Sequence, residues 1–355
     1  MKHSRTVSDR AADASLRLVA TVNVIVVAAF FILLLLAMPA RAEEPVACTG
    51  KNLLARMETE DPQALAAIRA EAGTVENGQA MLWRIDKEGA AASYLFGTMH
   101  MSDPRLLELP DAVRSALDEA STVVIETTDV LDQSKMMAAM LANPELTMFT
   151  DERTLTGLLS DEDRAVVEAA LAARGIPLGS IQKMKPWVVA TMVALPACEL
   201  ARKASGQPVL DTMLAAEATD AGKALEGLES AVDQLAAMAS LPMDFHIRGL
   251  VDTLKLGPMM DDIIETMIVL YLEGEPGAFW PFFRAALPAD DGSAAGFALF
   301  EETMVTARNR TMAEGAQPFL DEGGAFVAVG ALHLPGRDGL VALLRQAGYV
   351  VEPVR

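Results

Sequence analysis

Two apolar runs far apart in the chain close in the same way. Residues 94–100 end in Gly97-Thr98-Met99-His100, and residues 326–333 end in Gly330-Ala331-Leu332-His333. Each is followed by a proline, Pro104 or Pro335, and then by a helical pattern. The chain holds only 4 histidines, so a matched setting for two of them is a constraint on the fold. Glycine near a strand end permits close backbone approach. A histidine just beyond it projects from the carboxyl edge of the sheet, where open α/β sheets bind ligands. A fold that makes these two motifs walls of one site must bring the two ends of the chain into a single sheet.

The rest of the pattern agrees with that demand. Residues 80–85 and 93–98 read as a hairpin about the turn 86–89, residues 111–120 as a helix behind Pro110, and residues 122–126 as a β-branched strand. Strand, helix, strand in this order predicts a parallel crossover. Helical spacing then marks 52–72, 132–141, 161–174, 186–204, 210–221, 230–240, 245–256, 260–273 and 297–315, with 288–296 a loop. Residues 223–229 form a short strand ending on Glu229, and 325–329 and 349–354 complete the set, with a helix at 339–347. The expected fold is α/β: a central mixed sheet from strands at both ends of the chain, with a large helical middle over about 130–222 and 230–320.

Four candidate ligand groups fall at strand carboxyl ends: His100, Glu126, Glu229 and His333. Two imidazoles with one or two carboxylates on one edge suit a divalent metal. Zinc fits two His and a Glu with an open position, and manganese or cobalt accepts more oxygen ligands. Such an ion activates water and polarises a carbonyl, and a spare carboxylate serves as general base. A single strand-end histidine is more often a core or capping residue, so the matched pair carries the signal. Arg308 lies in a helix before the second motif, where it either clamps a substrate carboxylate or carbonyl or sits on a solvated face. Its neighbour Asn309 and Asp211, which opens a helix after Pro208, are candidates to back the ligands; Asp211 also suits a helix start. His246 reads as structural or surface, and Met136, Met137 and Met140 as core filler rather than a copper site. No H-E-x-x-H, Gly-x-Ser-x-Gly or phosphate-binding glycine loop occurs.

Formal net charge is −20, which disfavours nucleic-acid backbones and anionic lipid surfaces. A basic flank (Lys2, Arg5, Arg10, Arg17), an apolar stretch over 18–38 and Ala40-Arg41-Ala42 form an export signal over 1–42. The stretch is long enough to remain as an uncleaved anchor. The body is then one domain, 43–355, in a periplasmic or extracytoplasmic compartment. The 2 cysteines, Cys48 and Cys198, are expected to pair there.

The motifs carry a resemblance. Leu95 to His100, Val124-Ile125-Glu126, Gly227-Leu228-Glu229 with Gln234-Leu235, and above all Val329 to Gly336 with Gly339-Leu340 and Gly348 to Val351 resemble the TraB/GumN family, which includes the Tiki proteins. The likeness runs from about Met81 to Val354. It implies a divided α/β fold akin to the erythromycin-esterase and ChaN-like group. It also implies a metal-dependent peptidase whose site contains both Gly-x-x-His motifs and a glutamate: His100, His333 and Glu126, with Glu229 as companion. The expected function is an extracytoplasmic metal-dependent hydrolase of peptides or small polar substrates. The rival expectation is a non-catalytic peptide- or glycan-binding protein using the same cleft.

Overall fold

The computed structural model describes residues 46–287 and 293–354, so the export signal expected over 1–42 lies outside the described residues. Six strands form one sheet: β1 (Leu82–Asp86), β2 (Ser93–Thr98), β3 (Thr122–Ile125), β4 (Ala224–Gly227), β5 (Ala325–Gly330) and β6 (Val350–Pro353), in the order β4-β3-β5-β2-β1-β6. β4, β3, β5 and β2 are mutually parallel, while β1 pairs antiparallel with both β2 and β6. The mixed sheet drawn from both ends of the chain is therefore present. β5 enters late in the sequence yet lies between β2 and β3. That insertion makes a switch in strand order, and the carboxyl ends of four parallel strands share one edge.

Both faces of the sheet are covered, and side-chain alternation shows it. Phe96, Val123, Ile125, Phe326 and Ala328 pack into one core. Leu95, Val124, Ala325, Val327 and Val329 pack into another on the opposite face. Continuous apolar strands such as residues 325–329 follow from burial on both sides. A third core lies wholly within the helical middle, where Val167, Leu171, Val189, Val193, Leu250 and Leu254 meet. Among the described residues, no helix is long and apolar enough to cross a membrane.

Several local expectations are corrected. The helix expected over 52–72 is two, Leu53–Glu60 and Pro62–Ala72. Pro62 forces the residue before it out of helical geometry, and Asp61 instead caps the second helix through Ala64 N. Likewise 186–204 splits into Pro186–Ala194 and Ala197–Ala204, with Leu195 extended before Pro196. The helix expected over 297–315 begins at Ser293 and continues through a π turn, Glu302–Thr306, to Glu322. Its start takes residues 293–296 from the expected loop. Met137 is 54% exposed and Met136 and Met140 are only half-buried, so this helix does not fill the core with methionine. Cys48 and Cys198 form the expected disulfide.

Candidate functional site

Each parallel strand delivers one side chain to the shared edge. His100 stands two residues past β2, Glu126 immediately past β3, Glu229 two past β4, and His333 three past β5 in a single turn of 3₁₀ helix. The ring Nε2 atoms of His100 and His333 lie 3.9 and 3.8 Å from the same atom, Glu126 Oε1. Gly330 sits among all three. A Cβ there would stand 3.1 Å from Glu126 Oε1, 3.4 Å from His333 Cδ2 and 3.8 Å from His100 Nε2. Its own N–H donates to Glu126 Oε1 at 2.7 Å. The glycine of the second motif thus leaves room for the carboxylate and orients it. In the first motif, a Cβ on Gly97 would press within 3.1 Å of Ala331 Cα, so this glycine lets β2 lie close against the turn that carries His333.

Both imidazoles are held from behind. His100 Nδ1 is 2.7 Å from Asp211 Oδ2, and Thr98 Oγ1 donates to Asp211 Oδ1 at 2.5 Å. His333 Nδ1 lies 2.7 Å from Asn309 Oδ1, whose amide nitrogen donates to the Asp338 carbonyl. An acceptor at each Nδ1 favours the N–H on that side and turns Nε2 toward Glu126. Asp211 makes no side-chain cap for its helix, so it serves the histidine.

Arg308 fills the centre of the opposite wall. The π turn directly before its helix widens the backbone there, and Met304 O accepts from Arg308 Nη1 at 2.9 Å. Arg308 Nη2 donates to Glu126 Oε2 at 2.7 Å and to Glu229 Oε2 at 2.8 Å, and Nη1 lies 3.5 Å from His333 Nε2. The guanidinium is therefore committed to two carboxylates within the cleft, not to a solvated face. Gln234 Nε2 donates to Glu126 Oε2 at 3.0 Å.

The field of this cluster sorts its protons. Burial opposes ionisation of Glu126, but the imidazoles, Arg308 and the Gly330 N–H hold its carboxyl down to about 2. Burial pushes His333 down to about 4, with Arg308 and His100 adding to it against the pull of Glu126. Burial also works against a charge on His100, yet Asp211 and then Glu126 raise it to about 9. The His100 ring is 60% exposed at the mouth, so solvent screens that pairing without reversing it. In the protein alone, His100 carries the proton and His333 is neutral.

The donor set fits a divalent ion by its chemistry: two imidazole Nε2 atoms and a carboxylate oxygen around a glycine, with both Nδ1 atoms engaged. Its spacing is that of separate side chains. Among the described residues, no group of three or more His, Cys, Asp or Glu is gathered closely enough to hold an ion as it stands. The structure thus brings His100, Glu126, His333, Arg308, Asp211 and Asn309 into one cluster, with Glu229 joined through Arg308. Sequence reasoning from the motifs missed Tyr271, whose hydroxyl donates to the Gly97 carbonyl at 2.7 Å. No local pattern marks it. Gln234 had only a place in a motif, five residues after Glu229 on a helix capped by Ser230 and Asp233, and nothing pointed to its contact with Glu126. His246 is buried and lies apart, on the helix Met243–Leu256.

Comparison with known proteins adds a family and one relative. The model of the TraB/PrgY/gumN family matches residues 81–353. A protein of Danio rerio named "Metalloprotease TIKI2" is 25% identical over 301 residues, covering 73% of this chain. The chain spans 58% of that relative's length. No solved structure matches the chain.

Proposed function

The chain belongs to the TraB/PrgY/gumN family, and from that premise we propose that it is a metal-dependent hydrolase acting on peptides. The observation that carries the reading is the convergence of two oriented imidazoles on Glu126 Oε1. The name of the distant relative, a metalloprotease, supports the same chemistry. His100, His333 and Glu126 would hold the ion, with manganese, cobalt and zinc as candidates. When bound, it supplies Lewis-acid activation of water and of the scissile carbonyl.

The remaining roles belong to the chain. A carboxyl held near 2 is a weak proton acceptor, which suits Glu126 to ligation more than to base catalysis. Glu229, held by Arg308 and Gln234, then takes the proton from the attacking water. Arg308 holds both carboxylates in register, and it reaches a substrate carbonyl or carboxylate by releasing one of these bonds. Asp211 and Asn309 fix the two rings. The disulfide supports work outside the cytoplasm, in keeping with the export pattern read over 1–42, whether that segment is removed or kept as an anchor.

The test is a peptide-library digest with wild type, His100→Ala and His333→Ala, each with and without EDTA. Cleavage by wild type alone, abolished by chelation, is expected. Equal cleavage by all three proteins rejects the assignment.

A further inference from the structure

A second cavity, about 430 Å³, opens in the helical middle. Aromatic residues are only 5% of the chain, yet five of its 12 Phe and both Trp187 and Trp280 line this one space. Phe245, Trp280, Phe283, Phe297 and Phe300 touch one another at ring separations of 6.0–6.4 Å, and each remains only half-buried. Aromatic rings gathered this way without being closed over resemble a ligand site more than a core. Its volume lies within the range of about 300–1,000 Å³ found for small-molecule sites.

The cavity reaches the candidate active site through one residue. Leu332 is in its wall, and Leu332 directly precedes His333 in the 3₁₀ turn. A ligand in the cavity therefore lies against the turn that carries an Nε2 of the proposed metal site. The wall also holds His246, 3% exposed, whose Nε2 has no hydrogen-bond partner among the described residues. That atom has almost no accessible surface and sets no preference among ligands; the adjacency of Leu332 to His333 is what points to a segment of the peptide held at the candidate active site.

We infer that this cavity is the specificity pocket of the hydrolase, receiving a bulky apolar side chain of the peptide beside the bond to be cleaved. The inference rests on the proposed hydrolase reading and adds its substrate class: peptides with aromatic or leucine-sized residues at the cleavage site. Small or charged residues there leave the rings uncovered and are selected against.

The position to probe is Gly249, on the helix Met243–Leu256. It lines the cavity, and a Cβ built there meets nothing within 4 Å. Gly249→Phe therefore fills the space without a backbone clash while improving helix propensity. Trp187 and Trp280 in the wall report occupancy by their emission, independently of turnover. The protein is titrated with N-acetyl-phenylalanyl-leucinamide, N-acetyl-alanyl-glycinamide and decanoate, for wild type, Gly249→Phe and His100→Ala.

Saturable binding of the Phe-Leu peptide to wild type and to His100→Ala, weakened at least about tenfold in Gly249→Phe, is expected. The Ala-Gly peptide is expected to bind at least about tenfold more weakly to wild type. Equal binding of the two peptides, undiminished binding to Gly249→Phe, or binding of decanoate without either peptide overturns the pocket. Should Gly249→Phe lose its native far-UV spectrum, Gly249→Leu takes its place under the same criteria. Binding of the Phe-Leu peptide with no cleavage of any peptide defeats the hydrolase reading and leaves the pocket standing. Cleavage without preference for apolar residues does the reverse.

Discussion

Replacing Arg308 by leucine leaves two carboxylates facing each other with no cation between them. The side chains of Glu126 and Glu229 are 7% and 5% exposed, and Arg308 Nη2 bridges them at 2.7 and 2.8 Å. Removing one partner from a buried charge cluster costs about 3–5 kcal/mol, because the others stay desolvated and unpaired. For a body of about 300 residues the unfolding entropy is about 0.6 kcal/mol per kelvin, so Tm should fall by about 5–8 °C. The loss should depend on pH in a definite direction. In the wild type Glu126 titrates below its ordinary value, so its ionisation contributes stability above about 4.5 that is lost as pH falls through about 2. Arg308→Leu removes one of the charges that hold Glu126 down, so its folded-state value rises toward the ordinary one. The folded variant then binds the proton more tightly than folded wild type, while the unfolded chains are alike. Its deficit is full at pH 7.5 and shrinks as pH falls below about 4.5 toward about 2. Urea melts followed by circular dichroism at pH 7.5 and at about pH 3 measure this. A loss below about 1 kcal/mol at pH 7.5, the size of an exposed ion pair, would refute the reasoning. So would a loss that is the same at both pH values.

Three further perturbations test the neighbouring claims. Asn309→Leu removes the acceptor at His333 Nδ1 and should lower metal affinity or activity by about 10–100-fold; unchanged metal titration would show that the ring is held by other means. Gly330→Ala places a methyl 3.1 Å from Glu126 Oε1, so it should cost about 1–3 kcal/mol and displace the carboxylate; wild-type stability and wild-type activity together would show that the cradle has slack. Cys48→Ala with Cys198→Ala opens a link spanning 150 residues and should cost about 2–5 kcal/mol in denaturant melts, with no further loss on adding reductant.

Where the sequence was informative, it was because local chemistry matched the final fold. The runs at 93–98, 122–126 and 325–329 are continuous and apolar because both faces of the sheet are covered, and that shows in single residues. His100, Glu126 and His333 were legible because each follows a strand, and parallel strands end on one edge. Two helix breaks were missed although Pro62 and Pro196 mark them, since apolar spacing continues across both. The π turn at Glu302–Thr306 leaves the periodicity almost intact, so nothing in the sequence showed how far Arg308 is turned toward Glu126. Tyr271 and Gln234 reach the site through tertiary packing, which no spacing rule encodes. The aromatic cavity has the same origin: Trp187, Phe245, Trp280 and Leu332 come from four separate segments.

The most direct measurement is calorimetric titration of the metal-free protein with manganese, cobalt or zinc, for wild type, His100→Ala and His333→Ala. One ion per chain is expected in wild type, and none at comparable affinity in either variant. Binding should release a proton from His100, so the observed heat between pH 7 and 8 should vary with the ionisation enthalpy of the buffer. Unaltered binding in both variants, or no binding to wild type by any of the three ions, would contradict a metal site at His100, His333 and Glu126.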